Sequence, residues 1–200
     1  MKNSEIEQNL EIIKNMIRKN RSQTLKYGNI FVIIGISCLL ATMLIGVLEL
    51  NNLNQFTLPV IIITVVANMI VGFVVGVKED REEMVSTYAK DLFWNIWIIC
   101  GLASLMILFI FPFLGTFEFQ AVPALISVIM GIVIYLIGVV YELNFLRGFS
   151  AVWFIGAVVL ALNTSVYGFL IMAAIQLFGW IVPGLMLNNL NKKMSVQNEA

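Results

Sequence analysis

The chain alternates between long apolar runs without charge and short polar segments that carry nearly all of its charged residues. A membrane-spanning helix needs about 20 apolar residues, because each adds about 1.5 Å along the axis. Runs of that length recur after the first 26 residues. The pattern predicts an all-α polytopic membrane protein with six transmembrane helices, at about 28–48, 56–77, 92–111, 121–141, 149–162 and 166–187.

The last two spans are separated by turn-forming residues rather than by charged residues. No charged residue occurs from Gly148 to Asn191, a run too long for one span. The turn-forming triplet 163–165 (Asn-Thr-Ser) therefore divides it. The fifth span is short, and it extends back through Leu143 if the Arg147 side chain reaches the headgroups. Because the connection at 142–148 is tight, spans four and five are predicted to pack as a hairpin.

The basic residues fall in alternate connections. Residues 1–26 carry six of the twelve lysines and arginines, and the turns near 51–55, 112–120 and 163–165 carry none. Short loops rich in Lys and Arg stay on the cytoplasmic side. The sequence therefore predicts a multi-pass protein of the cell inner (plasma) membrane with both termini cytoplasmic, comprising a cytoplasmic helix at 1–26, a membrane domain at 27–190 and a cytoplasmic tail at 191–200.

Composition supports this class. The chain of 200 residues is 60% hydrophobic and 12% charged, against about 45–50% and about 25% in soluble domains. The lipid bilayer is therefore its expected surrounding. Since the basic residues follow the topology and the net charge is zero, no nucleic-acid partner is expected.

The N-terminal segment is predicted to form an amphipathic helix over 4–26. Ser4 and Glu7 have the spacing of a capping box. An apolar stripe recurs at helical spacing and is formed by Ile6, Leu10, Ile13 and Ile17. Flanking basic side chains favour burial of the stripe on the membrane surface or on the protein's own cytoplasmic face. A helix of a partner protein is the alternative.

Two amides lie near the middle of predicted spans: Asn68 in span two and Gln176 in span six. An unpaired amide is costly in hydrocarbon. The favoured interpretation is an interhelical hydrogen bond that locks the bundle. The alternative is a midplane ligand site, with Trp153 as a further lining residue.

Gly72 and Gly76 form a GxxxG motif in span two. Such a motif lets two helix backbones approach closely. A contact within the chain is favoured over a dimer interface. Two further expectations concern other spans: Phe93, Trp94 and Trp97 serve as interface anchors of span three, and Pro183 kinks or ends span six.

The sequence gives little support for catalysis. It has no histidine, and Cys38 and Cys100 lie in apolar runs where thiols behave as small hydrophobes. Glu49 and Glu118 fall at span ends. No acidic or basic residue falls near a span centre, although ion-coupled transport usually requires one there. No nucleotide-binding loop or metalloprotease motif is present. We therefore expect no enzymatic activity, no cofactor and no metal.

The tail Gly179–Leu187 (GWIVPGLML), followed by Lys192 and Lys193, has a Trp-x-x-Pro-Gly stretch that closes the last span before a basic tail. With the leading helix around Ile12–Ile17, it resembles an uncharacterised family of small six-span bacterial inner-membrane proteins. The resemblance implies the same membrane fold and location, and it implies no catalytic or binding residue.

Two functions remain open. The first is a non-enzymatic accessory or regulatory membrane protein that acts through its cytoplasmic face on a cytoplasmic or membrane protein partner. The alternative is a small-molecule transporter, or the substrate-binding membrane subunit of one, because six helices can enclose a small cavity.

Overall fold

The computed structural model describes residues 28–82, 88–116, 118–163, 165 and 167–199. These residues form helices and turns, and they contain no strand. Six helical segments are long and apolar enough to cross a membrane, which confirms the predicted all-α polytopic fold. These spans one to six are Gly28–Leu50, Asn54–Val75, Asp91–Phe113, Phe119–Val140, Asn144–Leu162 and Gly168–Lys193. The helices that build them are Gly28–Leu50, Thr57–Glu82, Tyr88–Leu105, Phe111–Phe113, Val122–Val140, Asn144–Leu162, Gly168–Gln176 and Val182–Glu199.

The hairpin of spans four and five has a three-residue turn, with Glu142 in the left-handed region at φ 54°. Span five begins at Asn144, five residues before 149, which agrees with the alternative in which it extends back toward Leu143. The reason is Arg147, whose Nε donates to the carbonyl oxygen of Gly138 at 3.1 Å. The guanidinium thus covers the exposed carbonyls at the end of span four, where the helix dipole favours a cation. Arg147 itself lies near the start of the next helix.

The six spans differ in how extensively they pack against one another. Spans four and five pack along their length, span one packs against spans two and six, and span three packs against span four. The buried core is made mainly by spans one, four, five and six, while spans two and three expose much of their apolar surface. Such faces suit lipid. We call the end of the bundle that carries Arg147, Lys192 and Lys193 the basic end, and the other the opposite end.

The close contact between spans one and six depends on glycine. A side chain at Gly28 would overlap Asn188, one at Gly35 would overlap Trp180, and one at Gly46 would overlap Phe169. These three glycines lie on one face of span one, because 7 and 18 residues are near-whole numbers of helical turns. Small residues on one face allow two membrane helices to pack closely.

Of the two glycines singled out from the sequence, Gly72 plays no such part. A Cβ at Gly72 would have no described atom within 4 Å. The close intrachain approach expected at the GxxxG motif is therefore absent at Gly72, which faces away from the described neighbouring spans. The surroundings of Gly76 are not among those that the structure describes.

Three other expectations concern Pro183, Phe93 and the N-terminal helix. Helical backbone extends beyond span six to Glu199, so Pro183 does not end the helix. Phe93 is buried in the core, with 2% of its surface exposed, so it is wrong as a membrane-interface anchor. The amphipathic helix predicted at 4–26, with its stripe Ile6, Leu10, Ile13 and Ile17, lies outside the described residues.

Candidate functional site

Both mid-span amides contact span one. The side-chain nitrogen of Gln176 donates to Thr42 Oγ1 at 2.9 Å, and that of Asn68 donates to Cys38 Sγ at 3.4 Å. Cys38 and Thr42 are one helical turn apart, so the two contacts lie at neighbouring depths. Each amide thus ties another span to span one, as the interhelical interpretation expects.

The two contacts differ in strength and burial. Gln176 is 5% exposed, whereas Asn68 is half-buried. A thiol sulfur is a weak acceptor, while a hydroxyl oxygen is a good one. The Oε1 atom of Gln176 is buried and has no hydrogen-bond partner among the described residues. The amide of span six is therefore only half satisfied.

Trp153 does not join these amides. Its indole Nε1 donates to the carbonyl oxygen of Gly179 on span six at 3.2 Å, in a fully buried contact. Gly179 allows this approach, because a side chain there would overlap the indole. The three residues that the sequence suggested for a midplane site bond to separate partners: Gln176 to Thr42, Asn68 to Cys38 and Trp153 to Gly179.

The Gly179 carbonyl is free for Trp153 because of Pro183. In a regular α-helix this oxygen would accept the N–H of residue 183, which proline lacks. The preceding segment Leu177–Ile181 widens into a π-helical turn, in which the Val182 N–H bonds to the Leu177 oxygen. A wide turn relieves the clash of a proline ring with the helix before it. We call Trp153, Gly179 and Pro183 the tryptophan joint.

Span three contains the same kind of break. A π-helical turn at Met106–Ile110 precedes Pro112 by the same spacing. In span three the break lies near the opposite end, and its Leu108 side chain lines an open apolar groove of about 540 Å³. The other lining residues are Leu58, Phe109, Ile110, Pro112, Phe113, Leu114 and Phe119.

Aromatic side chains fill the core near the tryptophan joint. The rings of Trp97 and Trp180 stack with centroids 5.5 Å apart, and Phe31 meets the Trp180 ring edge-on at 5.1 Å. Trp153 contacts Trp180 at 5.9 Å. Such pairs contribute about 0.5–1.5 kcal/mol each beyond their buried area. The cluster thus fixes spans one, three, five and six relative to one another.

Glu49 and Glu118 are exposed, and no group of three metal-ligating side chains occurs among the described residues.

Sequence reasoning found the two amides but missed their partners. Gly28, Gly35 and Thr42 are spaced by seven residues, and a heptad of small residues is a signal that could have identified this face of span one. Cys38 was expected only to fill apolar space, and its contact with Asn68 was not foreseen. Comparison with protein families, with curated proteins and with solved structures finds no match to this chain.

Proposed function

We propose that this multi-pass membrane protein is a non-enzymatic accessory or regulatory protein that acts by binding another protein at its cytoplasmic face. In this proposal both termini and the basic end face the cytoplasm, and the membrane is the inner (plasma) membrane of a bacterium. The family resemblance of the Trp-x-x-Pro-Gly stretch supports that location.

The observation that carries the proposal is that hydrogen-bond donors in the interior of the bundle bond to other groups of the protein. The donors of Gln176 and Trp153 are engaged in bonds between helices, at 2.9 and 3.2 Å. The Ser127 hydroxyl donates to the Pro123 carbonyl of its own helix. Polar groups that line a transport pathway must instead face a cavity. This arrangement suits a fixed scaffold better than a pathway.

The distribution of chain between the two ends supports the same proposal. At the opposite end the first connection is a short turn at 51–53. At the basic end the last helix continues to Glu199, beyond the apolar span that ends at Lys193. The proposal therefore places the partner at the basic end, where the helix continues past the apolar span.

Capture from mild detergent with the intact protein tests the proposal. We expect a protein partner whose recovery falls when exposed Lys193 is changed to Glu. The matched charge change Glu118→Lys at the opposite end should leave recovery unchanged. Equal losses from both variants, or no retained protein, would contradict the proposal.

Orientation is tested separately. Reporter fusions after Ala200 and within the Asn51–Gln55 turn should give opposite locations, with the C-terminal fusion inside. An external C-terminus would contradict the proposed orientation.

A second candidate, a small-molecule transporter or its membrane subunit, is favoured by the paired helix breaks. Span three is the last span of the first half of the chain, and span six is the last span of the second half. Each has a π-helical turn before a proline. Interrupted spans at corresponding positions of two halves are a feature of many transporters. Substrate-dependent uptake into vesicles that contain the purified protein would favour this candidate over the first.

A further inference from the structure

The half-satisfied amide of Gln176 lies beside a hydroxyl that can still donate. Thr42 Oγ1 accepts the amide N–H of Gln176, and a threonine hydroxyl has a proton of its own. Thr64 and Ser127 donate theirs to carbonyl oxygens one turn earlier in their helices. Thr42 makes no such bond within the ranges that the structure describes.

The Gln176 oxygen is costly as it stands. A buried acceptor without a partner costs about 1–3 kcal/mol, and the penalty is not reduced inside a bilayer, where no bulk water reaches the group. Methionine has the same length without this penalty, so a pure packing role would be better filled by methionine. The bond from Nε2 to Thr42 accounts for a polar side chain at this position, but it leaves Oε1 unmatched, and a donor to Oε1 would remove that cost.

We propose that Gln176 and Thr42 together bind a hydroxyl group between spans one and six. The hydroxyl donates to Gln176 Oε1 and accepts the proton of Thr42 Oγ1, so both unmatched groups are satisfied at once. An ammonium group can only donate and a carboxylate can only accept, so each would match one side of this pair. A hydroxyl donates and accepts through one oxygen and so fits both sides, and the group we assign is the hydroxyl of a small uncharged compound or a water molecule.

The position of the pair defines the kind of site. Oε1 is buried, so the hydroxyl is enclosed and is not part of an open channel. Cys38 lies one turn away along span one and accepts a hydrogen bond from Asn68 of span two, which places a second polar contact next to the first. The site does not depend on the proposed partner at the cytoplasmic face, and either can be present without the other.

The test compares the intact wild-type protein with two variants. Gln176→Met removes the amide at equal length, and Ser127→Ala, the control, removes a buried hydroxyl that already has an acceptor. Native mass spectrometry measures retained small molecules, and water-edited solid-state NMR in bilayers measures magnetisation transfer from water to the Thr42 and Gln176 side chains. Because both measurements use the wild type first, poor folding of a variant does not prevent a decision.

Two results support the proposal and identify the source of the hydroxyl. A retained compound bearing a hydroxyl, with occupancy about tenfold lower in Gln176→Met and unchanged in Ser127→Ala, identifies an organic ligand. Transfer from water to both side chains without a retained compound identifies bound water. A wild-type protein with neither a retained hydroxyl compound nor water contact at these side chains overturns the proposal.

Discussion

The tryptophan joint predicts a specific coupling between Trp153 and Pro183. Replacing Trp153 by Phe keeps an aromatic ring but removes the donor, so the Gly179 carbonyl loses the bond of 3.2 Å. An unpaired buried acceptor costs about 1–3 kcal/mol, and interhelical hydrogen bonds in membranes contribute about 0.6–1.7 kcal/mol. We therefore expect the free energy of unfolding to fall by about 1–2 kcal/mol from the lost bond, plus a cost for the lost indole volume.

A double-mutant cycle separates these two costs. The variant Pro183→Ala restores an N–H four residues after Gly179, so the carbonyl regains a donor within its own helix. In that background Trp153→Phe loses only the volume term and should cost about 1 kcal/mol less than with proline present. The assay is reversible unfolding in mixed micelles of the four proteins.

Trp94→Phe is the matched control, because Trp94 packs edge-on against Phe93 with ring centroids 5.8 Å apart and has no part in the joint. Its cost should be the same in the wild-type background and in the Pro183→Ala background. If the cost of Trp153→Phe is also equal in both backgrounds, within about 0.3–0.5 kcal/mol, the proline does not free the carbonyl and the reasoning is refuted.

Three further predictions follow from the packing and the sequence. Gly35→Leu should lower the free energy of unfolding by about 1–3 kcal/mol because it overlaps span six, whereas Gly72→Leu should change it by less than about 0.5 kcal/mol; equal effects in the same assay would contradict the assigned contact. Arg147→Met should cost about 1–3 kcal/mol by uncovering the end of span four, and an unchanged stability would show that the cap contributes nothing. Spin labels in bilayers should find Ile13 less accessible to water than Glu11, and equal accessibility in the isolated protein would favour an absent partner as the site that buries the stripe.

The number of spans, their approximate positions and the hairpin of spans four and five could all be predicted from the sequence. These properties follow from local quantities, because a span must have a certain apolar length and a turn between spans needs turn-forming residues. Two boundaries differ most from the predicted spans: span five begins at Asn144 rather than at 149, and span six ends at Lys193 rather than at 187. The sequence left the start of span five open at Arg147, and only the structure shows that the carbonyl oxygens of span four are its partners.

The contacts between particular residues of different spans could be identified only from the folded structure. The choice of Gly35 over Gly72 as a packing residue depends on how each helix is rotated and tilted against its neighbours, and two nearly uniformly apolar helices give little sign of that arrangement in sequence. The bond of Trp153 to Gly179 joins different spans and needs the carbonyl that Pro183 leaves free. Apolar length is a property of each segment, whereas these contacts are properties of pairs of helices.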